Sequence, residues 1–236
     1  MCIEITSIYP EVYEFCRHYI VDRGAVDISL TICQSDLVAE AGLNHEAWPA
    51  SQERVGYLEI LAVYRKIAEA VVSRDVFLVH GTVISVGGAG IVFAAPSGTG
   101  KTTQALLWTR HIPDCHVVNG DKPLLRVGTD GVIAFGTPWC GKECMGRNEQ
   151  VPLRVICYVQ RSAENRLVRV HTADVWPLLL KQVYLPKEAE KLQRTILLFN
   201  QLCAYVPVYR LECNMSPDAA LVAHRVLMTD GVLSPA

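Results

Sequence analysis

From Gln52 to Val72, apolar residues recur at Val55, Leu58, Leu61, Ala62, Tyr64, Ile67, Ala68 and Val71 with charges between them, a spacing that predicts one amphipathic helix covering a sheet. The pattern then changes to continuous apolar runs, Val76 to His80, Thr82 to Val86 and Ile91 to Ala95, which predict buried strands. Only Gly87-Gly-Ala-Gly90 joins the last two runs. A link that short turns a hairpin but holds no crossover helix, so the two strands are expected to be antiparallel. Beyond them the pattern predicts a short helix over Thr102 to Thr109, a strand over Cys115 to Asn119, and hairpin-like segments around Asp130-Gly131 and from Leu153 to Val159. Two helical stretches, Ala173 to Val183 and Lys187 to Tyr205, are parted by Pro186. A strand over Val206 to Glu212 and a helix over Asp218 to Met228 close the chain, with Ser216 and Pro217 suited to the N-cap and first helical position. The first forty residues mix β-prone runs such as Ile28 to Cys33 with the turn Asp22-Arg-Gly24 and predict a small β-rich lead-in.

The chain has 236 residues, half of them apolar and 19% charged, which suits one compact unit with a substantial interior. The N-terminal 1–75 are expected to form an annex with its covering helix, and 76–236 the functional domain. A formal charge of −2 with scattered Lys and Arg offers no broad positive field, so neither nucleic acid nor an anionic membrane surface is an expected partner. Nine cysteines lie far apart with no CxxC pair, and no signal-peptide pattern opens the sequence; they are expected to be reduced thiols in a cytoplasmic protein. His80, Ser85 and glycines interrupt the most apolar stretch, which reads as consecutive strands rather than a membrane span.

The strongest chemical signal is Ala95-Pro-Ser-Gly-Thr-Gly-Lys-Thr102, a phosphate-loop pattern with Ala in place of the first Gly. Its glycines let successive N–H groups turn toward an anion, and the following helix points its positive end at the same place. Ser97, Gly98, Thr99, Gly100, Lys101, Thr102 and Thr103 are the expected nucleotide-binding residues, with Lys101 an exposed cation reaching the β- and γ-phosphates. Phosphoryl transfer from ATP also calls for magnesium, to which Thr102 would offer its hydroxyl and Asp121 its carboxylate. His80, at a strand end beside the loop strand, is a further candidate. Gly136-Thr-Pro-Trp-Cys-Gly-Lys-Glu143 gathers an aromatic ring, a cation and a carboxylate in one segment suited to a substrate; Trp139, Lys142 and Arg147 are its candidate contacts and Glu143 a candidate catalytic group. Two thiols four apart, Cys140 and Cys144, fall short of a zinc site.

His80-Gly81, the Gly-rich hairpin, Ser97 to Thr102 and Asn119-Gly-Asp-Lys122 together resemble the core of the HPr kinase/phosphorylase family, over residues 76 to 125. Asn119-Gly-Asp-Lys-Pro123 followed by Gly136 to Glu143 further resembles small HPr kinase-like proteins, some of which tailor peptides. The resemblance implies an α/β, phosphoenolpyruvate carboxykinase-like P-loop domain with a mixed, partly antiparallel sheet. It implies an ATP-dependent, magnesium-assisted kinase acting on a hydroxyl, such as a serine of a protein, a peptide or the free amino acid, and it is compatible with a homo-oligomer. It also implies catalytic roles for His80, Lys101 and Asp121. The family has two adjacent acids where this chain has Gly120 and Asp121, and the first is its general base. Asp121 must then serve as base or as magnesium ligand, or His80 or Glu143 must share the work, and if the site merely lacks its base an acid restored at Gly120 is expected to raise transfer. The alternative is a nucleotide-binding regulatory protein of the same fold without efficient turnover.

Overall fold

The computed structural model describes residues 1–22, 24–46, 48–49 and 51–234. Arg23, in the middle of the turn expected at Asp22-Arg-Gly24, lies outside them. The chain divides into two compact units, Met1–Ser73 and Arg74–Ala236.

In the first unit, strands β1 (Ile3–Thr6) and β2 (Ile28–Thr31) pair in parallel, and three helices follow or separate them: α1 (Glu11–Cys16), α2 (Gln34–Leu43) and α3 (Gln52–Ala70). The expected β-rich lead-in is corrected, because two strands of four residues are outweighed by helix. Two buried carboxylates inside this unit are paired. The buried Glu59 carboxylate on α3 accepts the backbone N–H groups of Ile8 and Tyr9, at 2.5 and 2.8 Å, while Arg65 donates from Nε and Nη2 to the two oxygens of the buried Glu40 on α2. Such pairing offsets much of the cost of burying a carboxylate.

The second unit is built on nine strands: β3 (Val76–Leu78), β4 (Gly81–Val86), β5 (Ala89–Ala94), β6 (Cys115–Asn119), β7 (Leu124–Gly128), β8 (Gly131–Phe135), β9 (Gln150–Arg161), β10 (Arg166–Arg169) and β11 (Val208–Cys213). They run in the order β3-β7-β8-β9-β5-β4-β6, and β11 with β10 joins the far half of β9. The sheet therefore forks at β9, whose first residues pair with β8 and whose last pair with β11. Strands β5, β9 and β11 are parallel to one another, and β4 is antiparallel to β5 through a two-residue turn at Gly87 and Gly88. Both turn glycines have positive φ, +53° and +81°, the left-handed conformation that a tight hairpin of this twist demands. The hairpin expected from the glycine run is thus present.

Helices α4 (Lys101–His111), α5 (Thr172–Leu180), α6 (Ala189–Tyr205) and α7 (Asp218–Thr229) cover the two faces. Period-two alternation sorts the strand residues between them. Val83, Val92 and Ala94 face one core with Leu179, Leu198 and Phe199, whereas Ile84, Ile91 and Phe93 face the other with Trp108 and Ala223. Sheathing on both sides is why β4 and β5 read as unbroken apolar runs. Helix α7 begins one residue differently from expectation: Pro217 is its N-cap in helical conformation, with no side-chain cap bond from Ser216. Among the described residues no helix is long and apolar enough to cross a membrane.

Candidate functional site

Strand β5 ends where the sheet meets solvent, and the chain turns at once into Ala95 to Gly100 before entering α4. Two glycines make the turn: Gly98 at φ +75° and Gly100 at φ +128°, neither of which an L side chain adopts without strain. Open space surrounds the place a Cβ would occupy at both, so backbone conformation, not crowding, is what demands glycine here. Helix α4 starts directly after the loop, at Lys101, and its first N–H groups have no partner within the helix, the arrangement suited to an anion.

Lys101 departs from expectation in one respect. Its side chain is only 8% exposed, and its ammonium donates to the carbonyl oxygens of Ala95 (2.8 Å) and Pro96 (3.3 Å). It is a buried cation, not an exposed one. Burial lowers its pKa, Asp121 opposes the shift and Lys122 reinforces it. A second cation, Arg161 at the end of β9, donates to the carbonyls of Gly98 and Thr99. Sequence reasoning missed Arg161, and no local motif announces it: the parallel pairing of β9 with β5 carries it to the loop.

Beyond β6, the turn Asn119-Gly-Asp-Lys122 is built by one buried amide. Asn119 Oδ1 accepts the N–H groups of Asp121 (2.9 Å) and Lys122 (2.7 Å), while its Nδ2 donates to the carbonyl and hydroxyl of Thr137. The Thr137 hydroxyl in turn donates to the Lys122 carbonyl at 2.8 Å. His80, in the link between β3 and β4, is bound through its backbone N–H to the Gln182 carbonyl (2.7 Å), and the neighbouring Gly81 N–H donates to the Asp121 carbonyl (2.9 Å). His80 Nε2 consequently stands 3.3 Å from Asp121 Oδ1. Burial, then Lys122 and Lys101, push the imidazole pKa down to about 4 against the pull of Asp121 and of a side-chain hydrogen bond with Gln182. At neutral pH this contact joins a neutral ring to a carboxylate and is no ion pair. Lys122 Nζ lies 3.8 Å from the same oxygen.

The segment from Gly136 to Arg147 packs on this turn. Its backbone bridges Asn119 at Gly146, Arg147 N–H donates to the Val118 carbonyl, and Lys122 N–H donates to the Trp139 carbonyl. Gly141, at φ +84°, lies against the acidic pair: a Cβ there would lie 3.3 Å from Asp121 Cβ and 3.7 Å from Glu143 Oε2. Asp121 and Glu143 therefore flank one residue. Lys142 is exposed in the same turn and Trp139 is half-buried. Arg147 is placed elsewhere, lining a cavity of about 790 Å³ with Arg110, His111 and His116 at the opposite end of β6. Among the described residues no group of three His, Cys, Asp or Glu side chains is arranged to hold a metal ion, and all nine cysteines are free thiols.

The site thus joins Lys101, His80, Asp121 and Lys122 in one electrostatic neighbourhood, with Glu143 beside Asp121 and Thr102 and Thr103 in the first turn of α4. No protein-family model matches the chain, and no curated protein sequence matches it. Among solved structures, that of the Hpr(Ser) kinase/phosphatase from Coxiella burnetii aligns with 64% of this chain and 98% of its own, at 11% identity and a TM-score of 0.34.

Proposed function

We propose that the chain is an ATP-dependent kinase of the phosphoenolpyruvate carboxykinase-like P-loop type, passing the γ-phosphate to a hydroxyl such as a serine of a protein, a peptide or the free amino acid. One observation carries this reading: the carbonyls of Ala95, Pro96, Gly98 and Thr99 are held by Lys101 and Arg161 on one side of a loop whose N–H groups, apart from that of Thr99, are open to an anion, and a carboxylate and a neutral imidazole stand within the electrostatic reach of Lys101.

The residues divide the work by chemistry. Gly98 to Thr103 would cradle the phosphates, and Lys101 would exchange two carbonyl oxygens for phosphate oxygens, a better partner for a desolvated ammonium. Thr102 and Asp121 supply the hydroxyl and carboxylate oxygens that suit magnesium, which when bound offsets the charge on the transferred group. The acceptor oxygen bonds to phosphorus as the bond to the leaving diphosphate breaks, and the hydroxyl proton passes to a carboxylate, with Glu143 placed to serve beside Asp121. His80, neutral at pH 7 and 3.3 Å from the Asp121 carboxylate, would limit where that carboxylate can move. Lys142 and Trp139 belong to the segment nearest this pair and are the candidate acceptor contacts; the position of Arg147 suits a more distant contact.

Gly120 favours a second reading, a nucleotide-binding regulatory protein with little turnover, since the first acid of the family pair is absent. Incubation with ATP and magnesium, with and without seryl peptides, separates the two: the kinase releases ADP and yields phosphopeptide, whereas the regulator returns ATP unchanged. Calorimetry is expected to show tighter binding of ATP than of AMP, because the loop addresses the terminal phosphates. Equal affinities would remove the phosphate-loop assignment.

A further inference from the structure

We propose that Arg161 is a positioning residue for the phosphate site, holding the loop in its anion-binding conformation when Lys101 lets go of it. This rests on the reading of Ala95 to Thr102 as a phosphate cradle. Two cations divide the loop's carbonyls between them, Lys101 taking Ala95 and Pro96, and Arg161 taking Gly98 and Thr99. The two cations differ in what binding would ask of them. Lys101 must turn to the phosphates and abandon its carbonyls, whereas Arg161 lies on the carbonyl side and can stay.

Peptide geometry links that grip to the anion site. In a trans peptide the C=O of one residue and the N–H of the next point in opposite directions. A guanidinium that fixes Gly98 O and Thr99 O therefore fixes the N–H groups of Thr99 and Gly100 on the opposite side of the same planes. Thr99 N–H is partly engaged by Pro96 O at 3.3 Å, which leaves the Gly100 amide, at φ +128°, as the group most dependent on the clamp. A positive charge on the carbonyl oxygen also polarises the amide and strengthens its N–H as a donor.

The clamp is built by the fold. Strands β5 and β9 are parallel and adjacent, so the loop and Arg161 leave the sheet at the same edge. Arg161 makes no ion pair among the described residues, so its charge is directed to the loop. On the other flank, the buried Gln104 of α4 donates to Cys213 Sγ (3.2 Å) and the Asn214 carbonyl (3.3 Å) at the end of β11, the next parallel strand. The helix start is thus anchored independently of Arg161, and loss of the guanidinium is expected to disturb the loop without freeing α4.

The test uses the full chain, inorganic tripolyphosphate and ATP as probes, and glycine labelled with ¹⁵N. Arg161→Gln is expected to weaken both probes about tenfold, the loss that follows from removing charge-assisted hydrogen bonds behind the cradle, and to shrink the change in the Gly100 amide resonance on tripolyphosphate saturation. Arg161→Lys, which keeps the charge but not the two-pronged geometry, should recover part of the affinity. A folded Arg161→Gln protein with wild-type affinity and an unchanged Gly100 response overturns the inference while leaving the phosphate cradle standing. If that variant does not fold, Arg161→Lys decides: wild-type affinity overturns the clamp, and reduced affinity with an altered Gly100 response supports it. A wild-type chain that binds no tripolyphosphate removes the cradle itself, and the clamp with it.

Discussion

A Cβ placed on Gly120 would lie 2.4 Å from the carbonyl oxygen of Cys140 and 3.1 Å from that of Met145. Backbone, not a movable side chain, fills the space that a side chain at Gly120 would enter. Gly120→Asp, the change expected to raise transfer if the site merely lacks its base, must therefore push the 140–145 segment away from the turn that places Asp121. Gly120→Ala alone is expected to cost about 1–3 kcal/mol, the range for forcing atoms into a packed site. Thermal melts of the two variants check this, and an Asp variant as stable as wild type would show that the segment yields freely.

Asn119 is the second structural constraint on Asp121. Asn119→Ala strands the N–H group of Asp121, leaves that of Lys122 only its longer bond to the Trp139 carbonyl and removes two bonds to Thr137, with an expected loss on the order of 3 kcal/mol. Asn119→Asp keeps the acceptor for the two N–H groups but sets an oxygen against the Thr137 carbonyl, so it should lie between wild type and Ala. Denaturant titration of the three proteins gives the order.

His80 makes stability depend on pH in a defined direction. Its folded pKa, about 4, lies below the usual value of 6.5, so the unfolded chain binds the proton more readily. The contribution is fully present above pH 6.5 and is lost as pH falls toward 4, and stability rises with pH across that window. His80→Gln should flatten this part of the profile relative to wild type. Parallel slopes for the two proteins between pH 4.5 and 6.5 would show that His80 titrates normally.

Much of this arrangement was readable from local pattern. Gly87-Gly-Ala-Gly90 implied the antiparallel hairpin because so few residues permit nothing else, and Cys115 to Asn119 form the expected strand. The lead-in misled although its clearest run, Ile28 to Cys33, does supply a strand over Ile28–Thr31: the helices Glu11–Cys16 and Gln34–Leu43 on either side of it carry no strong helical pattern and went unread. Arg161 was invisible because its partners are 62 and 63 residues away and only the register of β9 on β5 brings them together. The crowding at Gly120 was equally hidden. A glycine chosen for close approach and one chosen for positive φ look alike in sequence, and the distinction reverses the effect expected of a substitution.

Lys101 is expected to separate binding from stability. Its ammonium is buried, and Lys101→Met keeps the aliphatic stem while removing a charge that is costly to desolvate. The Met variant should lose ATP binding by about a hundredfold or more, the scale of two charge-assisted bonds, while melting within a few degrees of wild type. A large fall in melting temperature would instead make Lys101 a structural strut for Ala95 and Pro96.

The proposed phosphoryl transfer has two duties for a carboxylate, magnesium coordination and proton acceptance, and the settings of Asp121 and Glu143 argue for a particular division between them. Asp121 is fixed by the Asn119 turn, touched by His80 and Lys122, and shares the electrostatic field of Lys101. Fixed geometry suits a metal ligand, whose oxygens must meet a demanding coordination shell. Glu143 is exposed on the turn that carries Lys142, where a side chain can follow an incoming hydroxyl. Loose, dissociative phosphoryl transfer asks little of its base, so a mobile carboxylate suffices. Asp121→Asn is therefore expected to abolish the gain in ATP affinity that magnesium brings, whereas Glu143→Gln should leave that gain intact and slow single-turnover transfer about a hundredfold, the lower scale of general-base catalysis. Because Asn and Gln preserve shape and remove only charge, neither change should disturb the 119–122 turn, and the melting temperatures will report it if they do. Should Asp121→Asn retain the magnesium effect and lose only rate, Asp121 is the base, since a group used in the transition state alone leaves ground-state binding untouched.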